Sequence, residues 1–507
     1  TNSLISGNSS NSWGGGIYND ENSKLHLINV QVDSNSGTYG GGLANRGFYS
    51  AKESTFNSNN ATGDHGGGIF SIDGSQSDTP DTLDQCTIQG NVAYGNGGGV
   101  KLQSNQALHM VNTLVGENTA GVAGGNNGRG GGIFAENGSQ VGYSDFINCT
   151  IANNSAFGSG SHYGGGFYNG GGGNYTFTNT IIWHNTAYLG PNVYGSYDHV
   201  TSNIGGDGST LDTDPLFMDM YSGDYRLSDY SPSIGTGTLD GCPTYDLDGD
   251  PRPQPVETDP DMGAYENELG ERLVGATYYV SLAGSDSSNG QLSTPFRTIQ
   301  HGVNAAWDGD TVIVYPGTYS GDIDLNNKSI VLSSRILESG DTTYVDSTII
   351  EGFVLINDDV DSTALFSGFT ITGDFTSRGL MISSDYNVMI EHIKVLGVGG
   401  VEITSATVTL RDIMVKQNNR SEQGGGIKIV GSVVELVNAV IDSNASTSNY
   451  GGGISIQSST VTMNEVEITN NTSSASGGGI YHLGNNSVLN ITNSLISGNS
   501  SNSWGGG

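Results

Sequence analysis

The chain is 507 residues long, contains 80 glycines and carries a formal net charge of −34, with 51 acidic residues against 17 basic ones. That balance excludes nucleic acid and anionic membrane surfaces as partners, since both need basic patches, and no apolar run approaches the ~18 residues of a membrane-inserted helix. The three cysteines, Cys86, Cys149 and Cys242, are too few and too uneven for a disulfide framework.

Residues 1–204 repeat. Glycine triplets begin at 14, 40, 66, 97, 130 and 164, and again later at 424, 451, 477 and 505. Each triplet inside the chain is followed by an apolar residue: Ile17, Leu43, Ile69, Val100, Ile133, Phe167, Ile427, Ile454 and Ile480. An asparagine precedes each triplet, with an apolar residue three positions before it. The early pairs are Ile5/Asn8, Val32/Asn35, Phe56/Asn59, Ile88/Asn91, Val115/Asn118, Ile151/Asn154 and Ile182/Asn185, the last without a triplet behind it. A period near 26 residues is too short for a globular domain and suits one coil of a solenoid. Alternation such as apolar Val461 and Met463 beside polar Thr462 and Asn464 reads as strand. Glycine turns the chain sharply at a corner, and a corner asparagine tolerates the left-handed region. Stacked at about 4.8 Å per coil, such asparagines form a hydrogen-bonded ladder. The expected fold is all-β, a right-handed parallel β-helix.

An apolar residue, two spacers and Asn, then Gly-Gly and a small or aliphatic residue, resembles the repeat of polymorphic outer-membrane and related autotransporter-like β-helix proteins. Phe56-Asn57-Ser58-Asn59 followed by Gly66-Gly67-Gly68-Ile69 carries the resemblance most fully. It implies a secreted or cell-surface protein. No membrane-barrel domain follows within the sequence, so delivery by that route has no support.

Residues 205–270 lose the period. Asp246-Leu247-Asp248-Gly249-Asp250-Pro251-Arg252 and Asp261-Met262-Gly263-Ala264-Tyr265-Glu266 resemble the closing segment of secreted bacterial β-helix proteins of the choice-of-anchor Q type. Such a segment is expected to cover the last coil, whose edge groups need partners. Residues 276–320 resemble instead the opening segment of pectate-lyase-like β-helices, from the strand at Tyr278-Tyr279-Val280-Ser281 to the Pro316-Gly317 turn. Helical spacing at Phe296, Ile299, Val303 and Ala306 predicts an amphipathic cap. Coils resume over 321–507, with strands at 369, 393 and 413 spaced by 24 and 20 residues.

Residues 1–16 and 492–507 are identical, an offset of 491. The expected order is therefore the later coils of a β-helix (1–204), a closing cap, an opening cap, and the earlier coils of a β-helix. Both ends read as cuts through one period of about 491 residues. Their coil edges are expected to be complementary, which predicts head-to-tail self-association.

For chemistry, the pectate-lyase-like resemblance implies carboxylates that hold Ca²⁺ on an acidic polysaccharide and a basic residue that takes a proton. Asp358, Asp359 and Asp361 are the candidate acids and Lys394 the candidate base; grouped carboxylates suit a hard cation. A lysine base needs its pKa lowered, however, and neighbouring carboxylates oppose that. Asp246, Asp248 and Asp250 alternate as in short Ca²⁺ loops, without the acid that would complete one. Cys86 and Cys149 share a place in the repeat two coils apart, about 9–10 Å, beyond disulfide reach, and read as small core residues. Trp13, Tyr39, Tyr163 and Tyr450, with Trp504, directly precede glycine triplets and suggest an aromatic stripe for polysaccharides or cell-surface glycans. Two functions follow. One is a non-catalytic extracellular or bacterial-surface stalk, adhesin or glycan-contacting scaffold. The other is a calcium-dependent polysaccharide lyase. The missing catalytic set and the scarcity of lysine and arginine favour the first.

Overall fold

In the computed structural model the described residues are all except 1, 73–79, 104–105, 123–127, 137–142, 172, 207–210, 358–359, 361, 374–378, 385 and 485–486. The chain divides into two compact units, Thr1–Leu273 and Val274–Gly507. Each is a parallel β-helix.

In the first unit the coils stack into three long parallel sheets. One sheet takes Ser3–Ser6, Val30–Asp33, Thr55–Asn57, Thr87–Gln89, Leu114–Gly116, Thr150–Ala152, Ile181–Trp183 and Asn203–Ile204 in spatial order. Its register places Ile5, Val32, Phe56, Ile88, Val115, Ile151, Ile182 and Ile204 opposite one another. These are the apolar residues that the sequence pairs with asparagines, plus one more. A second sheet aligns the residues that follow the triplets, Ile17 through Phe167, and adds Val193. Both columns point inward and join a continuous core.

The glycine triplets have two separate causes. Only the first glycine of each turns left-handed, as Gly97 does at φ 70°. The other two leave no room for a side chain. A Cβ on Gly98 would lie 2.3 Å from Gly131 O, and one on Gly99 would lie 2.7 Å from Gly132 O and 3.0 Å from Asn118 Nδ2. The third glycine thus makes space for the asparagine.

That asparagine forms the expected ladder. Asn59 gives its backbone N–H and its Nδ2 to Asn91 Oδ1 at 2.9 and 3.0 Å, and Nδ2 also reaches Val32 O at 2.7 Å. The pattern repeats from Asn8 to Asn185. In the coil that lacks a triplet, Gly190-Pro191-Asn192 replaces it, and Asn192 Oδ1 accepts both donors of Asn185. The left-handed residue is not the ladder asparagine, contrary to expectation. It is the residue before, such as Ser58, Glu117 or Asn153, which frees the asparagine to turn inward and bond.

A second ladder runs along the next corner. Cys86 N–H and Cys149 N–H donate to the hydroxyls of Thr113 and Thr180, and Thr180 N–H to Ser202 Oγ. Both cysteines are free, buried and two coils apart, as their place in the repeat implies.

After the last coil the chain turns back. Asn203 Nδ2 donates to Thr213 O and Leu211 N–H to Ser202 O. Residues 216–267 then run along the flank of the helix, so the segment does more than cover the final coil. Phe217, Met220, Tyr225, Leu227, Ile234 and Met262 pack on the outward residues Leu114, Ala152 and Ile181. Each large side chain buried there contributes about 1.5–3 kcal/mol. Left-handed corner residues fasten the strap: Gln85 donates to Asp246 O, Asn112 to Tyr245 O, Asn148 to Asp261 O and Asn179 to Thr238 O.

The second unit opens with the strand Thr277–Val280 and the helix Ile299–Ala305, capped by Thr298, whose hydroxyl accepts from His301 N–H. Phe296, Ile299, Val303 and Ala306 are all buried, although the first and last lie outside the helix. Thr311–Val314 pairs in register with Thr277–Val280. Thr370, Lys394 and Met414 stand opposite one another, giving the expected steps of 24 and 20 residues. Val461 and Met463 face inward, fully buried. The asparagine ladder reappears through Asn418, Asn444, Asn471 and Asn499. The two sixteen-residue copies agree at their matching left-handed glycines: Gly7 and Gly498 have φ of 67° and 69°, and Gly14 and Gly505 have φ of 63° and 69°.

Candidate functional site

Asp358, Asp359 and Asp361 lie outside the described residues. Lys394 begins the strand Lys394–Leu396 on an outer face of the second unit and forms an ion pair with Asp346. It lines a groove of about 360 Å³ with His392, Asp412 and Asn438. His392 Nδ1 is 3.8 Å from Asp412 Oδ2, and Asn438 Nδ2 donates to Asp412 Oδ1. Lys394 is therefore already engaged by a carboxylate.

Asp246, Asp248 and Asp250 line one cavity of about 380 Å³ with Arg226 and Tyr265. Asp246 is spent on the loop itself: Oδ1 accepts Asp250 N–H at 2.8 Å and Oδ2 accepts Glu266 N–H at 2.9 Å. Burial and the charge of Asp246 push Asp248 above the usual carboxylate range. Among the described residues no three His, Cys, Asp or Glu side chains are grouped to hold a metal ion.

Beneath that loop lies a buried charge cluster. Arg252 Nε is 3.3 Å from Glu266 Oε2, and Nη1 donates to Asp261 O and Gly263 O. Asp261 accepts Gly235 N–H and Asn267 N–H, each at 2.7 Å. Burial, then the neighbouring charge of Glu266, nevertheless raise Asp261 to about 8. Burial also raises Glu266, against the pull of Arg252. Arg252 pairs with the Glu266 carboxylate but reaches Asp261 only at its main-chain carbonyl, so a proton on Asp261 relieves its repulsion with Glu266.

The aromatic residues form a stack with two columns in the first unit. Trp13, Tyr39, His65, Asn96, Arg129, Tyr163 and Leu189 occupy equivalent corner positions in successive coils. A second column, unforeseen, follows the triplets: Tyr18, Ala44, Phe70, Lys101, Phe134, Tyr168 and Tyr194. Phe134, Tyr168 and Tyr194 stack with planes 3° apart at 4.9 and 5.4 Å. Lys101 Nζ lies 5.0 Å from the Phe134 ring centre and 3.0 Å from Glu136 Oε2. Phe70, Phe134 and Tyr168 are buried, so rings are accessible mainly towards the two ends of the stack, at Tyr18 and Tyr194. Trp13 and Tyr39 do meet, 5.4 Å apart, and Arg129 covers Tyr163 at 5.7 Å. Tyr450 belongs to the second unit and stacks on Tyr481 at 4.5 Å. The outward alternation behind each triplet was the sequence signal for the missed column.

Two stretches, 2–20 and 465–482, match the model of the Chlamydia polymorphic membrane protein repeat. Each contains an apolar-x-x-Asn element and a glycine triplet; the stretch around Phe56 is not among the matches. Among curated proteins nothing matches. Solved structures similar to the chain include the PL6 family alginate lyase AlyGC, with 8% identity, 98% of this chain and 97% of that chain covered, and a TM-score of 0.18. A substituted variant of that lyase has the same identity and coverage and a TM-score of 0.21. These superpositions are too loose to carry an argument about this chain. No described helix is long and apolar enough to cross a membrane.

Proposed function

We propose that the chain belongs to an extracellular or cell-surface protein and acts as a non-catalytic stalk or adhesin that contacts glycans. One observation carries this reading. The residues that match the polymorphic membrane protein repeat are the ladder and corner residues themselves, Asn8, Gly14, Asn471 and Gly477 among them. The recurring side chains serve coil-to-coil bonding, leaving the outer faces to vary coil by coil, which suits a display scaffold. The pairing of Lys394 with Asp346 supports the same side, since it holds the candidate base against a carboxylate of the protein itself.

The test couples adhesion with product analysis. Beads coated with the chain are counted on a panel of cell monolayers before and after mild periodate oxidation of surface glycans. Adhesion that periodate abolishes is the expected result. Acidic polysaccharides incubated with the chain and Ca²⁺ are expected to yield no unsaturated uronide. Steady uronide release, or adhesion indifferent to periodate, would overturn the reading.

A further inference from the structure

The second unit breaks its own pattern at one connection. Between Leu365–Ser367 and Thr370–Thr372, and between Asn387–Glu391 and Lys394–Leu396, the chain turns within two residues. The equivalent connection one coil earlier, from Val331–Ser334 to Thr348–Glu351, takes thirteen residues and forms two short helices, Ile336–Ser339 and Tyr344–Ser347. This insertion supplies one wall of the 360 Å³ groove, and three successive coils supply the rest. Rigid scaffold below and a connecting segment above is a common way to build a binding site.

The lining states what fits. Lys394 and Asn438 present donors, Asp346 and Asp412 acceptors, and His392 either, all within one groove. Charge is nearly balanced there, with one excess negative when His392 is neutral. A polyanion gains nothing from that and is opposed by the −34 of the whole chain. Met414 and Val440, half-buried in the register column of Lys394, give a narrow apolar floor. A peptide that adds as a strand finds no edge, because Lys394, Met414 and Val440 are already paired across the coils. Rungs repeat along the groove at about 4.8 Å, so a chain of polar units meets one polar corner side chain, His392, Asp412 or Asn438, at each step.

We propose that this groove binds an uncharged oligosaccharide, its hydroxyls taken by His392, Lys394, Asp412 and Asn438 and its C–H face laid on Met414 and Val440. The inference rests on the glycan-contacting reading above and adds the site and the ligand class.

Titration calorimetry of the full chain tests it, with short β-linked oligomers of glucose, N-acetylglucosamine, mannose and xylose as probes and oligouronates as counter-probes. At least one neutral probe is expected to bind, and oligouronates at least about tenfold more weakly. Val440→Trp fills the groove and is expected to weaken binding about tenfold or more, with the circular dichroism spectrum unchanged. Asp346→Ala, on the exposed insertion, leaves the fold intact and frees the Lys394 ammonium, so it shifts preference towards oligouronates. Tyr194→Ala in the first unit leaves binding unchanged. Oligouronates binding as well as neutral probes overturns the proposal, as does the absence of any neutral binding. If Val440→Trp and Asp346→Ala change nothing while Tyr194→Ala abolishes binding, the glycan sits on the aromatic corner instead. Periodate-sensitive adhesion without groove binding likewise removes this site and leaves the broader reading standing.

Discussion

Asn118→Ala should break one rung of the ladder, and the cost can be worked from its bonds. Asn118 is fully buried. Its Oδ1 accepts Asn91 N–H at 3.0 Å and Asn91 Nδ2 at 2.9 Å, and its Nδ2 donates to Ile88 O at 2.8 Å and Asn154 Oδ1 at 2.9 Å. Truncation leaves two donors of Asn91, its backbone N–H and one N–H of its Nδ2, in a dry corner, while Ile88 O keeps its ladder bond to the facing strand. At about 1–2 kcal/mol for each orphaned donor the loss sums to about 2–4 kcal/mol. Asn8→Ala is the control. Asn8 heads the ladder: its Nδ2 donates to Asn35 Oδ1 at 2.9 Å, no preceding rung donates to it, and it is exposed, so water replaces what is lost and the cost stays under about 1 kcal/mol. Urea titration gives the global values. Peptide-resolved hydrogen exchange shows where the coil opens, and the change should centre on Thr87–Gln89 and Leu114–Gly116 because coils touch only their neighbours. Equal costs for the two substitutions would refute the claim that a buried rung bonded on both sides is worth more than the exposed rung at the end of the ladder.

Three further outcomes follow from the same structure. Gly98→Ala places a Cβ 2.3 Å from Gly131 O and 2.6 Å from the Thr119 backbone, and should cost more than about 3 kcal/mol by urea titration. Raised above its unfolded value to about 8, Asp261 binds its proton more tightly when folded, so its contribution is full below about pH 4 and is lost as pH rises through about 8; Asp261→Asn should remove that decline, read as the difference between parent and variant titrations across the range. Cys242, half-exposed, should react with a maleimide before Cys86 and Cys149, whose thiols burial pushes up to about 12 and which should stay unlabelled until the chain unfolds.

The parallel β-helix was legible because it is written in residues that repeat. Ile5 to Ile204 and Asn8 to Asn185 keep fixed offsets within each coil even where insertions stretch the period. What bonds side chain to backbone was harder to read. Gln85, Asn112, Asn148 and Asn179 fasten the strap through carbonyls of residues 238–261, and a carbonyl leaves no mark in a sequence. Asp246, Asp248 and Asp250 read as one alternating set, yet Asp246 turns inward to hold backbone N–H groups. The groove was invisible for another reason. His392, Asp412 and Asn438 share a corner and the same left-handed conformation, but no common residue type. Side chains that differ by position can be aligned only once the register is known.

The ladder also has a direction. Every rung, in both units, hands its donors to the asparagine of the next coil along the chain, and in the first unit Asn192 receives the last pair. The amide dipoles therefore add head to tail, each polarising the next. A coil laid on the stack the other way up would face donor with donor. Each solenoid is in this sense a one-way track: a coil can be added in one sense only, and the polarity of the stack is recorded at every step in a single column of side chains.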